Sequence, residues 1–519
     1  MGFDLRTRVI GVIAIIATGI TAVVACGGGP SSNPSAGCEP GTKESCTGSN
    51  LCSGKQVCKA DRTYDVCVCP PVPDASTPDT GDPPPPPIDA GIDAPIKDAG
   101  FDAKPFDPKP LAWIKDVDMG YVASISVDGN NDILVAGQGG PGIITKLDAT
   151  GALLWQKTYL SQNTIPATVV TATGDAVGNA YVLVDSPPNT NYGGGTITQS
   201  GRVLLKLDVN GNYVWHLGPF PGVTTAHLVT RPNGNVVLAG QLEGPADFGS
   251  GNVNPNGASD GLVVELTPAK ALVKVRQFGD IGYQAIRSIA LDPSGNAYVV
   301  GTFNGTIDFG KGVMTGPPAS GSFSQPHSVF VAKLNPSLDG VVQKNGGATA
   351  GGDYLTEAAV DPFGNVAIGG MVQSSIKLGA NTVTAFTGGD LYFAYLDGSL
   401  SEIWSGGYGG YAGQTLSGFA ARPGGSLVAA GFTNGTLSFG LGGLPVGTAG
   451  YFLVQFDTAG NPISNFGASV NGGSVSPQVM TYLGGTDYLF AGTCQGGTLV
   501  LPSGSRNCTN KAFVTRFAP

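Results

Sequence analysis

Nine cysteines carry the most reactive side chains of the 519-residue chain, and their spacing separates them into three groups. Cys26 stands alone at the end of an apolar run; Cys38, Cys46, Cys52, Cys58, Cys67 and Cys69 crowd together; Cys494 and Cys508 lie near the last residues. Cysteine thiolates hold zinc in tetrahedral sets, usually as Cys-x-x-Cys pairs or with histidine. The nearest approach is Cys67-Val68-Cys69, with one intervening residue and no histidine beside it. A segment this short and poor in apolar residues cannot bury a core, so its six cysteines read as a disulfide framework of open pairing. Cys494 ends one strand pattern, LFAGTC, and Cys508 precedes the next, NCTNKAFVTRF. Antiparallel neighbours joined by a short loop bring such ends within disulfide reach, so a Cys494–Cys508 bridge is expected.

Other chemistry-bearing residues are sparse. The three histidines, His216, His227 and His327, form no HxH or HxxxH pair and read as structural. Asp128, Asp175, Asp292 and Asp361 each open a Gly-containing turn, yet Arg231 and Arg422 take the same slot elsewhere. Aspartate there accepts hydrogen bonds from turn amides, and its exchange for arginine marks the slot as structural. Asp128-Gly129-Asn130-Asn131-Asp132 resembles the start of a calcium loop but lacks the later glutamate. Neither GxSxG nor GxxxxGK[ST] occurs. No catalytic residue, metal ligand or cofactor is assigned.

The elements that would position these residues recur. SVDGNNDILVAGQ, TGDAVGNAYVLVD, TRPNGNVVLAGQ, ALDPSGNAYVVGT, AVDPFGNVAIGGM, AARPGGSLVAAGF and TYLGGTDYLFAGT are copies of one strand–turn–strand unit. Each is followed by a third strand, from GIITKLD to FVTRFA, and most of these by a fourth, in which Trp155, Trp215 and Trp404 share one position. The last copy stops after its third strand, while residues 111–120, LAWIKDVDMG, form an orphan fourth strand bearing Trp113. A four-stranded unit cannot cover both its faces alone, so copies must stack around an axis. The expectation is an all-β, seven-bladed β-propeller of four-stranded antiparallel blades over residues 111–519. Its N-terminal strand closes the last blade and removes an open edge. The unit at residues 296–310, with DFG at Asp308–Gly310, resembles the SBBP repeat of exported bacterial propellers. It weakens where IKLG and LVLPSG replace that step. LDATGALLW and LDVNGNYVW resemble the TGxxxW step of quinoprotein repeats, without the adjacent cysteines of many such enzymes.

Residues 1–25 read as a signal, with Arg6 and Arg8 before the apolar run at residues 9–24. Val23-Val24-Ala25-Cys26 resembles a bacterial lipobox, which implies cleavage before Cys26 and its acylation. Gly27, where retained lipoproteins carry aspartate, implies an outer-membrane address, periplasmic or at the cell surface. Residues 26–37 are a Gly/Ser tether. Residues 38–69 resemble the Cys-rich knots that follow the lipobox in myxobacteria-like surface lipoproteins. Residues 70–110, rich in Pro and Asp, form a disordered linker with polyproline character.

Glycine numbers 82, charged residues make up only 12%, and the net charge is −10. Without basic clusters, nucleic-acid binding is excluded, because it depends on neutralising phosphates. The sequence therefore points to a monomeric, lipid-anchored propeller engaging a protein or glycan at one disc face. The other reading is an exported quinoprotein-like dehydrogenase.

Overall fold

The protein, seen in a computed structural model, is described for residues 43–47, 53–57 and 112–517. Within the last span, residues 321–325, 347–353, 386–388, 411–412, 423–425, 436, 442–443, 445–449, 469, 472–473, 485–486, 502–503 and 509 are excepted. The signal, tether and linker expectations lie outside these residues. Two units are distinguished, Met1–Ile96 and Lys97–Pro519. In the first, Lys43–Thr47 and Ser53–Val57 pair as an antiparallel hairpin.

In the second unit strands fold into seven four-stranded antiparallel sheets, and no helix occurs among the described residues. Blade 4 shows the pattern. Its strands Gln284–Leu291, Ala297–Phe303, Ser328–Leu334 and Gly340–Asn345 pair in sequence order. Between the first two, Asp292 Oδ1 accepts the Asn296 amide at 2.8 Å, and Gly295 takes φ 79°. This is the type I turn with a left-handed glycine that DPSGN encodes.

Burial follows position in the blade. The second and third strands are buried along nearly their whole length, because neighbouring blades cover both faces; YVVGTF and DGLVVEL are accordingly almost continuously apolar or small. Fourth strands lie at the rim and stay half exposed. Each of the seven seams between blades holds its own apolar cluster. The first strands, Tyr121–Val127, Thr168–Gly174, Val223–Thr230, Gln284–Leu291, Tyr354–Val360, Gln414–Ala421 and Ser474–Gly484, each touch the next, and the last touches the first. They therefore surround the axis as a closed ring.

Closure is made as the sequence implies. Trp113–Val117 pairs with Ala512–Phe517, Trp113 opposite Arg516 and Val117 opposite Ala512, as fourth strand of blade 7. One apolar cluster joins Val117 and Met119 to Ile133 of blade 1 and Leu489 of blade 7. The tryptophan position explains itself here. Trp113, Trp155 and Trp215 donate their indole N–H to the carbonyls of Ala149, Val209 and Pro268 in the following blade, at 3.2, 2.8 and 3.0 Å. Gly151, Gly211 and Gly460 lie against the rings of Trp113, Trp155 and Trp404; a Cβ would crowd the ring at Gly151 and collide with it at Gly211 and Gly460. The TGxxxW step is thus a blade-to-blade clasp.

Candidate functional site

The inner strands carry one irregularity in common. Pairing with the second strand slips between Val122 and Ser124, Val169 and Thr171, Ile286 and Ser288, Leu355 and Glu357, Leu416 and Gly418, and Pro477 and Val479. Blade 3 slips slightly earlier, between Val223 and Ala226. These are β-bulges, one extra residue on the inner strand. The bulge explains the glycine in VAGQ, VVGT, IGGM and AAGF. At Gly137, Gly301, Gly370 and Gly431 a Cβ would overlap the carbonyl oxygen of Tyr121, Ala285, Tyr354 or Thr415.

An inner strand has its second strand on one edge and blades on both faces, so its other edge borders the axis. The bulge residues Ala123, Val170, Arg287, Thr356 and Ser417 are half-buried, Val170 packing against the apolar cluster between blades 2 and 3, while Ile286 and Ser288 beside Arg287 are buried. Arg287 alone among these five is charged. The residue after the bulge turns to the next blade: Ser124 and Ser288 accept the amides of Ala172 and Ala358 there, at 2.9 and 3.2 Å. In blade 3, where the slip ends at Ala226, His227 pairs with Ala239 as Ser288 pairs with Val300, and Glu357 follows the bulge in blade 5.

His227 therefore faces blade 4 and Arg287. Burial, with the arginine charge adding to it, pushes the imidazole down to about 4, so it is neutral at pH 7. Arg287 Nη2 donates to Tyr283 Oη at 3.0 Å, Tyr283 Oη donates to Gln241 Oε1 at 3.1 Å, and Gln241 Nε2 donates to Glu243 Oε1 at 2.7 Å. Tyr283 and Gln241 are buried. Around them Asn304 Oδ1 accepts the Tyr283 amide, and Gln284 Nε2 bonds Asp280. The blade 3–blade 4 seam thus adds a polar lip to an apolar interior. Glu357 stands apart from it; burial alone pushes its carboxyl up to about 8.

The side chains of the turn slots pair with residues of the third strand. Asp128 meets Lys146 at 2.7 Å and Asp292 meets Lys333 at 3.6 Å. Tyr395 donates to Asp361 at 2.5 Å. In blade 3 the charges are reversed, with Arg231 3.1 Å from Glu265. Asp128 thus serves an ion pair, and no group of three His, Cys, Asp or Glu able to hold a metal occurs among the described residues.

Cys494 and Cys508 are joined as a disulfide, with Cα atoms 5.2 Å apart. Cys26, Cys38, Cys52, Cys58, Cys67 and Cys69 lie outside the described residues; Cys46 lies in Lys43–Thr47, whose backbone alone is described. His216 bonds Tyr213 Oη at 2.8 Å, and His327 is buried against Tyr354. The sequence reading passed over Arg287, Glu357 and the facing of His227. The available signal was the break in alternation at IRSIA, where an arginine interrupts an inner strand.

Residues 273–308 match the family model SBBP, a beta-propeller repeat. The match runs from the rim strand of blade 3 to the aspartate of DFG in blade 4. In the SBBP unit that aspartate is the turn-former: Asp308 Oδ1 accepts the amides of Gly310, Lys311 and Gly312, while Phe309 is buried. Leu378 fills the same place in blade 5, where the sequence has IKLG. No curated protein matches the chain. Among solved structures, a puromycin hydrolase is 11% identical over 77% of this chain and 56% of that one, with TM-score 0.42. The Pan2 WD40 domain of Neurospora crassa is 9% identical over 77% and 89%, with TM-score 0.41. Hydrazine synthase of Kuenenia stuttgartiensis is 10% identical over 72% and 94%, with TM-score 0.40. This chain spans little more than half the length of the hydrolase. Nothing about activity follows from likenesses this distant.

Proposed function

We propose that the protein is an exported lipoprotein, anchored in the outer membrane through Cys26, that displays its propeller as a non-catalytic binding module on a stalk. The linker lifts a rigid disc, and a protein or glycan engages one face. The observation that supports the binding role most is the ring of bulged inner strands around the axis of a scaffold locked by seven seams. Rigid elements that hold a few polar groups in place suit recognition. The SBBP match and the lipobox sequence are consistent with an exported bacterial protein. The exported dehydrogenase is the competing reading, because propellers host both classes.

Two measurements test this. Acyl-lipid labelling should tag the wild type, and Cys26→Ala should lose the label and either leave the membrane fraction or keep its signal. Unchanged labelling in that variant refutes the anchor. Purified protein given pyrroloquinoline quinone and calcium should reduce no dye with alcohol or sugar substrates; turnover there would replace the binding module with the enzyme.

A further inference from the structure

We propose that Asp260 and Gln284 form a calcium site in the seam between blades 3 and 4, on the face whose loops lead into the inner strands. The site stands independently of the binding-module reading. Asp260 opens the third strand of blade 3, Asp260–Leu266, and Gln284 opens the inner strand of blade 4. Both are fully buried, at 0% exposure. Asp260 Oδ1 and Gln284 Oε1 have no hydrogen-bond partner. A Cβ on Gly279 would stand 2.3 Å from the first oxygen and 2.4 Å from the second, so the two are close neighbours. Neither is free to turn away. Asp260 Oδ2 accepts the Asn256 amide at 2.7 Å and the Gln277 side-chain amide. Gln284 Nε2 donates to Asp280 Oδ1 at 2.7 Å and to the Asn304 carbonyl at 2.9 Å. Flipping that amide would set its oxygen against two acceptors. Two acceptor oxygens thus stand together out of water, which is costly unless a positive group joins them.

Asp280 brings a second negative charge to the same place. Burial opposes its ionisation, but hydrogen bonds from Gly282, Thr306 and Gln284 outweigh burial and hold its carboxyl below the usual range. Burial pushes the Asp260 carboxyl up, and the Asp280 charge adds to it. No lysine or arginine forms an ion pair with either aspartate among the described residues. A proton on Asp260 would join the two oxygens but leave Asp280 uncompensated, whereas a cation offsets both carboxylates. Calcium takes carboxylate, amide and water oxygens at roughly 2.3–2.6 Å, and two oxygens this close can share one ion. Ile281, 74% exposed, lies next to Asp280 and sets solvent beside the seam to complete the shell. The repeat supplies an internal comparison. Asp390 and Gln414 stand at the matching strand starts of blades 5 and 6, with Gly409 against Asp390, but Gly410 replaces Asp280 there.

The test is titration calorimetry of the full-length protein, stripped with EDTA, against calcium chloride and against magnesium chloride, with thermal melts in parallel. Calcium should bind with a dissociation constant on the order of 10⁻⁴–10⁻³ M and raise the melting temperature. Magnesium, which demands a near-ideal octahedron, should bind more weakly. Asp260→Asn should weaken calcium binding by about tenfold or more, and Asp390→Asn should leave it unchanged. Asp280→Asn, which keeps the shape and removes the second charge, should weaken it by a smaller factor; this variant carries the test should Asp260→Asn fail to fold. Thermal melts in EDTA show whether each variant keeps the disc. Absence of saturable calcium binding by the stripped wild type overturns the site, and a stability that then falls as pH rises would assign the gap to a proton on Asp260. Calcium binding of equal strength in wild type and a folded Asp260→Asn or Asp280→Asn comes from elsewhere in the chain and also overturns it.

Discussion

Arg231 and Glu265 form the same bond as Asp128 and Lys146 with the charges exchanged. The sequence displayed only half of this, an arginine where other turns carry aspartate. Its partner lies on the third strand, and nothing local links the two. Glu357 was equally hidden. In its strand, YLTEAAV, alternation puts it on a core-facing or axis-facing course depending on where the bulge falls, and a bulge leaves little local signature. Its pKa gives the pH dependence. Burial raises the folded-state value from 4.5 to about 8, so the folded state binds the extra proton between those values. Stability from the neutral acid is full below 4.5 and is lost as pH rises towards 8. Glu357→Gln should therefore leave the melting temperature little changed at pH 4 and raise it at pH 9, by up to a few kcal/mol in stability. Parallel declines of wild type and variant between pH 5 and 9 would reject the assignment.

At the scale of the strand, bulge and glycine are one device. The glycine recurs in the second strands of the repeat, and the structure supplies its cause: the inner-strand carbonyl lies where a Cβ would stand. Gly301→Ala should cost on the order of 2 kcal/mol or more, because backbone must move in a seam already filled by Ile286 and Phe330. Chemical denaturation measures it; an unchanged midpoint would mean that the bulge yields freely. The rim shows a second set of slips, where the third strand passes into Leu147, Leu207, Leu266, Leu334, Leu396 and Phe456 and the fourth strand carries one extra residue. Each leaves a fourth-strand aliphatic exposed, among them Leu154, Val214 and Ile403. Bulges disrupt regular pairing with another edge, which is how outer strands avoid aggregation. Strand existence was legible because turn and apolar run repeat together. The slips were not, because they follow from fitting twisted sheets around an axis.

For the whole molecule, the repeat count and the orphan strand sufficed to give the number of blades and the seam. What the sequence could not supply was the lip between blades 3 and 4, whose residues converge from two blades. The last blade carries three locks. Trp113–Val117 completes its sheet, the Trp113 indole crosses to Ala149 of blade 1, and Cys494–Cys508 closes a loop beside its third strand. In the chain-entropy account a loop of this size contributes about 3 kcal/mol. The strand matters more, because it closes the ring of seams and shares a core with blades 1 and 7. Closure by the N-terminal strand is tested by comparing thermal unfolding of the full chain with that of a chain lacking residues 111–120. The deletion should lower the midpoint by on the order of 10 °C and expose the Ala512–Phe517 amides to hydrogen exchange. Equal midpoints and equal protection of that strand would contradict the closed ring.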